Sequence, residues 1–322
     1  DNLTFTYDDW NAYKNVTVYG VNDNLTDGNQ TFSVIIEGDN QTLDSKYNSL
    51  DVDDIFVVNV DDDTPGFTIT PISGPTSEDG GTATFTFKVN TVPDDLDSST
   101  NNDNVTISIS SSDTTEGTVY PSQLVFTKSN WNSENQITVT GVDDNVSDGN
   151  QSYSIILDVD NSTTAVGYSI LNPSDVNLYN IDSDSPGYYV SAISRDTDES
   201  GRTATFTVRL SSQPTDNVTI DVVSSDTGEG TISSSDSQLT FSSSNWNAEQ
   251  TVTVTGVDDN LTDGDQSYAI LLSDNTSTDT RYQYVDPPDV TLKNLDLDGN
   301  KGGFYVSAIS RDTDESGRTA TF

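Results

Sequence analysis

The residues of this chain whose types and spacing could do chemistry are carboxylates, set three times in the pattern Val-Asn/Asp-Asp-Asn-x-Ser/Thr-Asp-Gly. The three copies supply Asp23 and Asp27; Asp143, Asp144 and Asp148; and Asp258, Asp259 and Asp263. Further acids stand at matching places around each copy. Glu78, Asp113, Asp182 and Asp184 flank the second, and Glu199, Asp226, Asp296 and Asp298 flank the third. Asp61, Asp62 and Asp63 follow the first, and Glu315 begins the set again. Six or seven carboxylates brought together without a cation would repel one another and raise each other's pKa values. Calcium takes six to eight oxygen ligands at about 2.3–2.6 Å and answers that need, whereas magnesium keeps its waters. The competing reading is that these acids are solvated turn residues pointing apart.

Composition closes other routes. The chain has no His and no Cys, so catalytic triads, thiol chemistry, disulfides and zinc sites have no residues to work with. A glycosidase-type Asp/Glu pair is the remaining enzymatic option. With eight Glu, mostly in repeated turn motifs, it is not pursued, and no enzyme is expected. Fifty-three acidic residues against twelve basic ones give a formal charge of −41. A field of that sign repels nucleic acid and anionic lipid, so neither is expected as a partner, and no apolar run calls for membrane insertion. Forty-five of the acids are Asp, which suits turns and hard-cation loops better than helices.

What must position these acids is a repeated unit. Trp10, Trp131 and Trp246 lie 121 and 115 residues apart, and Phe85, Phe206 and Phe322 lie 121 and 116 apart. Such a period is too long for a solenoid unit and fits a whole domain. Within one copy, the segments 188–193, 203–210, 218–223, 238–241, 251–257, 267–272 and 289–295 read as short strands. TATFTVRL and TVTVTGV alternate apolar and polar residues, the period-two signature of a sheet with one buried face. SSQPTDN, SSDTGEG, DDNLTDGD and VDPPD carry turn chemistry between them. The expected fold is all-β: tandem immunoglobulin-like antiparallel β-sandwiches repeating every 115–121 residues. Trp246, just before a strand, is expected in the core rather than on a sugar-binding surface.

The expected divisions are a partial repeat over 1–64, complete domains over 65–185 and 186–299, and the start of a further repeat over 300–322. Residues 305–322 copy 189–206 without a change, and the whole is expected to be a window on a longer array. The links VDDDTPGF (60–67) and IDSDSPGY (181–188) leave little room for swivelling. The pattern is not an EF-hand, since Leu261 stands at its third position and Ile270 at that of its closing Glu.

One unit resembles a Calx-beta domain of the kind found in large bacterial or archaeal surface repeat proteins. The features that carry the resemblance are ESGRTATFTVRL, SSDTGEGTI, QLTFSSSNWNAEQTVTVTGVDDNLTDGDQSYAILL and the closing NLDLDG or NIDSDSPG. The resemblance implies calcium at one tip of each sandwich. Its ligands would be the early Glu, the Asp of the middle loop, the Asp-Asp pair, the acid four or five residues on, and the terminal Asp run. The residues implied are Asp23, Asp27, Asp61, Asp63, Glu78, Asp113, Asp143, Asp144, Asp148, Asp182, Asp184, Glu199, Asp226, Asp258, Asp259, Asp263, Asp296 and Asp298. Asn22 in place of the first Asp of a pair, Ser183 and Leu297 within the terminal runs, and Gln151 and Gln266 where an acid is common imply fewer ions per unit.

Asn-x-Ser/Thr occurs twelve times, with Asn24, Asn104, Asn145, Asn217 and Asn260 as glycosylation candidates. The expected role is an extracellular, calcium-stiffened structural or adhesive array whose partners are neighbouring repeats, other copies in a filament, surface glycans or a cell-surface ligand. The alternative is an array of glycan- or protein-binding modules acting by avidity.

Overall fold

The computed structural model describes residues 2–94, 103–274, 277–299, 308, 310, 312–313 and 315–321, and of these Asp274 by its backbone alone. Every regular element among them is a strand, and none is a helix long and apolar enough to cross a membrane. The chain forms two compact units, Asp1–Asp143 with Asn150–Ile181 and Asp144–Gly149 with Asp182–Phe322.

The first unit begins with an antiparallel pair, β1 (Gln30–Val34) and β2 (Ile55–Asn59). A two-sheet body follows, made of β3 (Phe67–Ile69), β4 (Thr76–Ser77), β5 (Thr82–Val89), β6 (Asn104–Ser111), β7 (Gly117–Tyr120), β8 (Gln123–Thr127), β9 (Asn135–Gly141), β10 (Gln151–Val159) and β11 (Val176–Ile181). The sheet orders are β3-β5-β9-β7 and β4-β11-β10-β6-β8.

The second unit repeats this plan with β12 (Tyr188–Val190), β13 (Thr197–Asp198), β14 (Thr203–Leu210), β15 (Val218–Ser224), β16 (Gly230–Ile232), β17 (Gln238–Phe241), β18 (Gln250–Gly256), β19 (Gln266–Asp274) and β20 (Val290–Leu295). Its sheets run β12-β14-β18-β16 and β13-β20-β19-β15-β17. The alternation read from TATFTVRL is realised: Ala204, Phe206, Val208 and Leu210 are buried while Thr203, Thr205, Thr207 and Arg209 alternate with them on the exposed or half-buried face. Val252 and Val254 of β18 join them, and Val218, Ile220, Leu239, Phe241, Tyr268, Ile270 and Leu272 close the core from the other sheet. Each such large apolar side chain contributes about 1.5–3 kcal/mol on burial. Trp246 is partly buried against this core, as Trp131 is in the first unit.

Two features were not expected. β13 and β16 are extra strands, and β13 pairs parallel to β20, as β4 does to β11, so one sheet of each sandwich is mixed rather than purely antiparallel. A two- or three-residue strand shows too little alternation to be seen in sequence. Both new strands matter because each delivers an acid to the same end of the sandwich.

Candidate metal centre

The register sets the site. Gly230 of β16 lies opposite Gly256 of β18, and Asp198 of β13 lies beside Leu295 of β20. Glu229, Asp258–Asp259, Glu199 and Asp296–Asp298 therefore leave the two sheets at one end. There the carboxylates sort into two groups, Glu199 with Asp258 and Asp298, and Glu229 with Asp259 and Asp263. Within each group one oxygen from every residue lies within 4.8 Å of the others. The adjacent acids Asp258 and Asp259 serve different groups.

Turns lock the loops that carry these groups. Asp258 Oδ1 accepts from Asn260 N at 3.0 Å and Asp259 Oδ1 from Leu261 N at 2.8 Å. Asn260 adopts φ 60°, a left-handed turn geometry that Asn tolerates. Asn24 and Asn145 do the same at φ 60° and 63°. Asp296 acts as a backbone clamp: its Oδ2 accepts from Gly264 N at 2.8 Å and its Oδ1 from Asp298 N at 2.7 Å. Asp182 holds Gly149 N and Asp184 N at 2.7 Å each, and Asp61 holds Gly28 N at 2.7 Å and Asp63 N at 2.9 Å.

The electrostatics reflect crowding. The Leu297 N–H donates to Glu199 and lowers its pKa, but burial and the charges of Asp298, Asp296 and Asp258 outweigh that bond and leave it raised. Burial chiefly raises Glu229, with Asp259, Asp263 and Asp226 adding to the shift against an opposing Asn294 hydrogen bond. Asp296 moves the other way, lowered by the backbone N–H groups of Gly264 and Asp298.

The remaining expected residues fall as follows. In the sequence of the preceding repeat, Glu78, Asp143 and Asp184 occupy the places of Glu199, Asp258 and Asp298, and Glu116, Asp144 and Asp148 those of Glu229, Asp259 and Asp263. Asp113 and Asp226 cap their own turns, accepting from Thr115 N at 3.0 Å and Gly228 N at 2.9 Å, and among the described residues neither belongs to a carboxylate group. Asp23, Asp27, Asp61 and Asp63 line one concavity with Asp62, and burial followed by the charges of Asp62, Asp61, Asp23 and Asp27 raises Asp63. Of the glycosylation candidates, Asn217 is exposed and Asn104 begins β6, where its Oδ1 accepts from Thr164 N at 3.3 Å. Glu315 is exposed. The sequence reading had passed over Glu116 and Glu229, although both precede a Gly in the matching segments SSDTTEG and SSDTGEG.

The donor set suits a hard cation. Each group is made of carboxylate oxygens alone, the ligands that calcium takes in numbers of six to eight, whereas magnesium keeps several of its waters.

Comparison with known families matches the Calx-beta domain to residues 1–64, 60–184 and 190–298. The chain belongs to the Calx-beta family. A search of solved structures finds similarity to these Calx-beta units at low identity. The calcium binding domain CBD12 of CALX1.1 is 12% identical, with 69% of this chain and 96% of that chain covered at a TM-score of 0.30. Domains 4 and 5 of the S-layer protein SbsC are 13% identical, with 59% and 75% covered at a TM-score of 0.25. Among curated proteins none matches the sequence.

Proposed function

We propose that this tandem Calx-beta chain is a calcium-binding structural or adhesive array at the cell surface, and not an enzyme. The observation that carries the reading is the first carboxylate group of the third repeat. Glu199 and Asp298 are 9% and 3% exposed and gather with Asp258, an arrangement whose mutual repulsion a divalent cation relieves. Glu199, Asp258 and Asp298 would hold one ion and Glu229, Asp259 and Asp263 a second. Calcium supplies charge neutralisation there, and the chain's own part is to hold six carboxylates in place through Asx turns and the Asp296 clamp. The family membership and the recurrence of the same residue types in the preceding repeat support the assignment.

In this reading the ion stiffens each tip, and successive repeats form a rod or filament outside the cell. Its partners are neighbouring repeats and other copies, with surface glycans or a cell-surface ligand as further contacts and sequons such as Asn217 as sites of glycosylation. The test is isothermal calcium titration of the full chain, paired with melts in calcium and in chelator. Saturable uptake with a higher melting temperature is expected. No uptake and an unchanged melt would reduce the acids to solvated turns.

A further inference from the structure

An asparagine at the end of the last strand recurs in each of the first three repeats, and its side chain reaches the entrance of the acidic loop. In the third repeat Asn294 Nδ2 donates to Val257 O at 2.8 Å, and in the second Asn180 Nδ2 donates to Val142 O at 2.9 Å. In the partial first repeat Asn59 Nδ2 donates to Val21 O at 3.0 Å. Each of these valines immediately precedes the Asn/Asp-Asp pair.

The contact is built into the backbone. A Cβ on Gly20, Gly141 or Gly256 would lie 2.4, 2.5 or 2.6 Å from the Oδ1 of that asparagine, so the strand before the loop keeps a glycine where the carboxamide crosses it. Asn180 and Asn294 are 1% and 2% exposed, at inward positions where the rest of the strand places Val and Leu. A buried amide replacing an aliphatic residue carries a desolvation cost that only its hydrogen bonds offset.

Those bonds converge on the loop. The valine peptide is held on both sides, since Val257 N donates to Glu229 O and Val142 N to Glu116 O, each at 3.0 Å. The second proton of the same amide faces a carboxylate group member, Glu229 Oε2 at 3.3 Å, with a longer counterpart at 3.5 Å to Glu116 Oε2. One neutral NH2 thus ties the entry of the acidic pair to a Glu of the second group without adding a positive charge that would oppose a cation.

We infer that Asn180 and Asn294 are positioning residues that hold the acidic loop in its cation-receiving geometry before the ion arrives. The inference rests on the calcium reading proposed above. Without the amide, the peptide before Asp258 is free to rotate, and ordering it must be done by the ion at the expense of affinity.

The test uses the full chain carrying Asn180→Leu and Asn294→Leu together, measured by calcium titration and by backbone hydrogen exchange of residues 257–264 in chelator. The expected result is calcium affinity about tenfold or more weaker, in the range seen when groups supporting metal ligands are removed. Faster exchange of that loop before any ion is added should accompany it. Leu preserves burial, so the chelated melting temperature reports separately on any general loss of structure. If the double variant unfolds, Asn294→Asp, which keeps the shape and removes both N–H donors, decides the matter by the same two readouts. Unchanged affinity and unchanged loop exchange in a folded variant would overturn the inference and leave the amide as a mere partner for a buried carbonyl. If the natural chain takes up no calcium, the calcium reading falls. Loop exchange in chelator then judges the clip alone, and an unchanged rate overturns it too.

Discussion

At the residue scale, the third repeat holds carboxylates pushed in opposite directions, and this makes their pH dependence informative. Glu199 and Glu229 have raised pKa values in the ion-free protein. A raised pKa means the folded state binds the proton more tightly than the unfolded state. That contribution to stability is present at low pH and is lost as pH rises through the folded value. In chelator, acidification from pH 7 toward the ordinary Glu value of 4.5 should therefore raise the melting temperature. In saturating calcium the same change should lower it, because protons and the ion compete for the same oxygens. Asp296 is depressed, so its stabilising share vanishes only below the ordinary Asp value of 3.8 and does not obscure that window. Paired pH–melting series check this, and parallel curves with and without calcium would contradict it. Glu199→Gln isolates one group. It should raise the chelated melting temperature and remove only the share of the calcium-induced gain that belongs to the Glu199 group, as differential scanning calorimetry would record.

At the element scale, close approaches between strands set the tip. A Cβ on Gly256 would sit 2.2 Å from the backbone oxygen of Asp198 and 2.6 Å from Asn294 Oδ1. Gly256→Ala should therefore force β18 away from β13 and cost about 1–3 kcal/mol, the usual range for overpacking, as chemical denaturation would measure. A second link lies at Asp279, which is buried and accepts from Thr215 N at 2.8 Å and Arg281 Nη2 at 3.0 Å. Burial opposes its ionisation, but the Arg281 and Thr215 bonds prevail and hold it at a pKa of about 2. Asp279→Ala leaves a guanidinium without its partner and should cost about 3–5 kcal/mol at neutral pH. Being depressed, Asp279 gives up its contribution as pH falls below the ordinary 3.8 toward about 2. The destabilisation by Asp279→Ala should shrink over that interval, and equal losses at pH 7 and pH 2 would refute it.

At the scale of the whole molecule, a formal charge of −41 works against compactness. Sodium chloride should raise the melting temperature in chelator, since the Debye length falls from about 10 Å at 0.1 M to about 3 Å at 1 M. Calcium at a hundredfold excess over its dissociation constant should add about 2.7 kcal/mol per site. The salt effect should then be smaller, because the most crowded charges are already neutralised. Calorimetric scans over salt, with and without calcium, check both statements. Small-angle scattering with and without chelator tests whether the proposed stiffening also changes the length of the chain.

The sequence by itself determined the repeat, the all-β class, most strands and the acidic loops. Period-two alternation in TATFTVRL and TVTVTGV and the Asp-Asp-Asn-x-Thr-Asp-Gly turns are local signals that need no long-range partner. Family membership was legible in the same segments. Only the tertiary structure decided how the acids are shared out. Asp258 and Asp259 are neighbours in the chain yet join different groups, Asp226 and Asp296 hold backbone, and Glu229 joins a group through the three-residue strand β16. Asn294 reads in sequence as one more polar residue, and becomes an anchor only when β20 is laid against β19 with the loop after Gly256 beneath its amide. The reason is that turn and strand propensities act over a few residues, while a cation site is an agreement among oxygens as much as 99 residues apart, from Glu199 to Asp298, that only the register of the two sheets brings within reach.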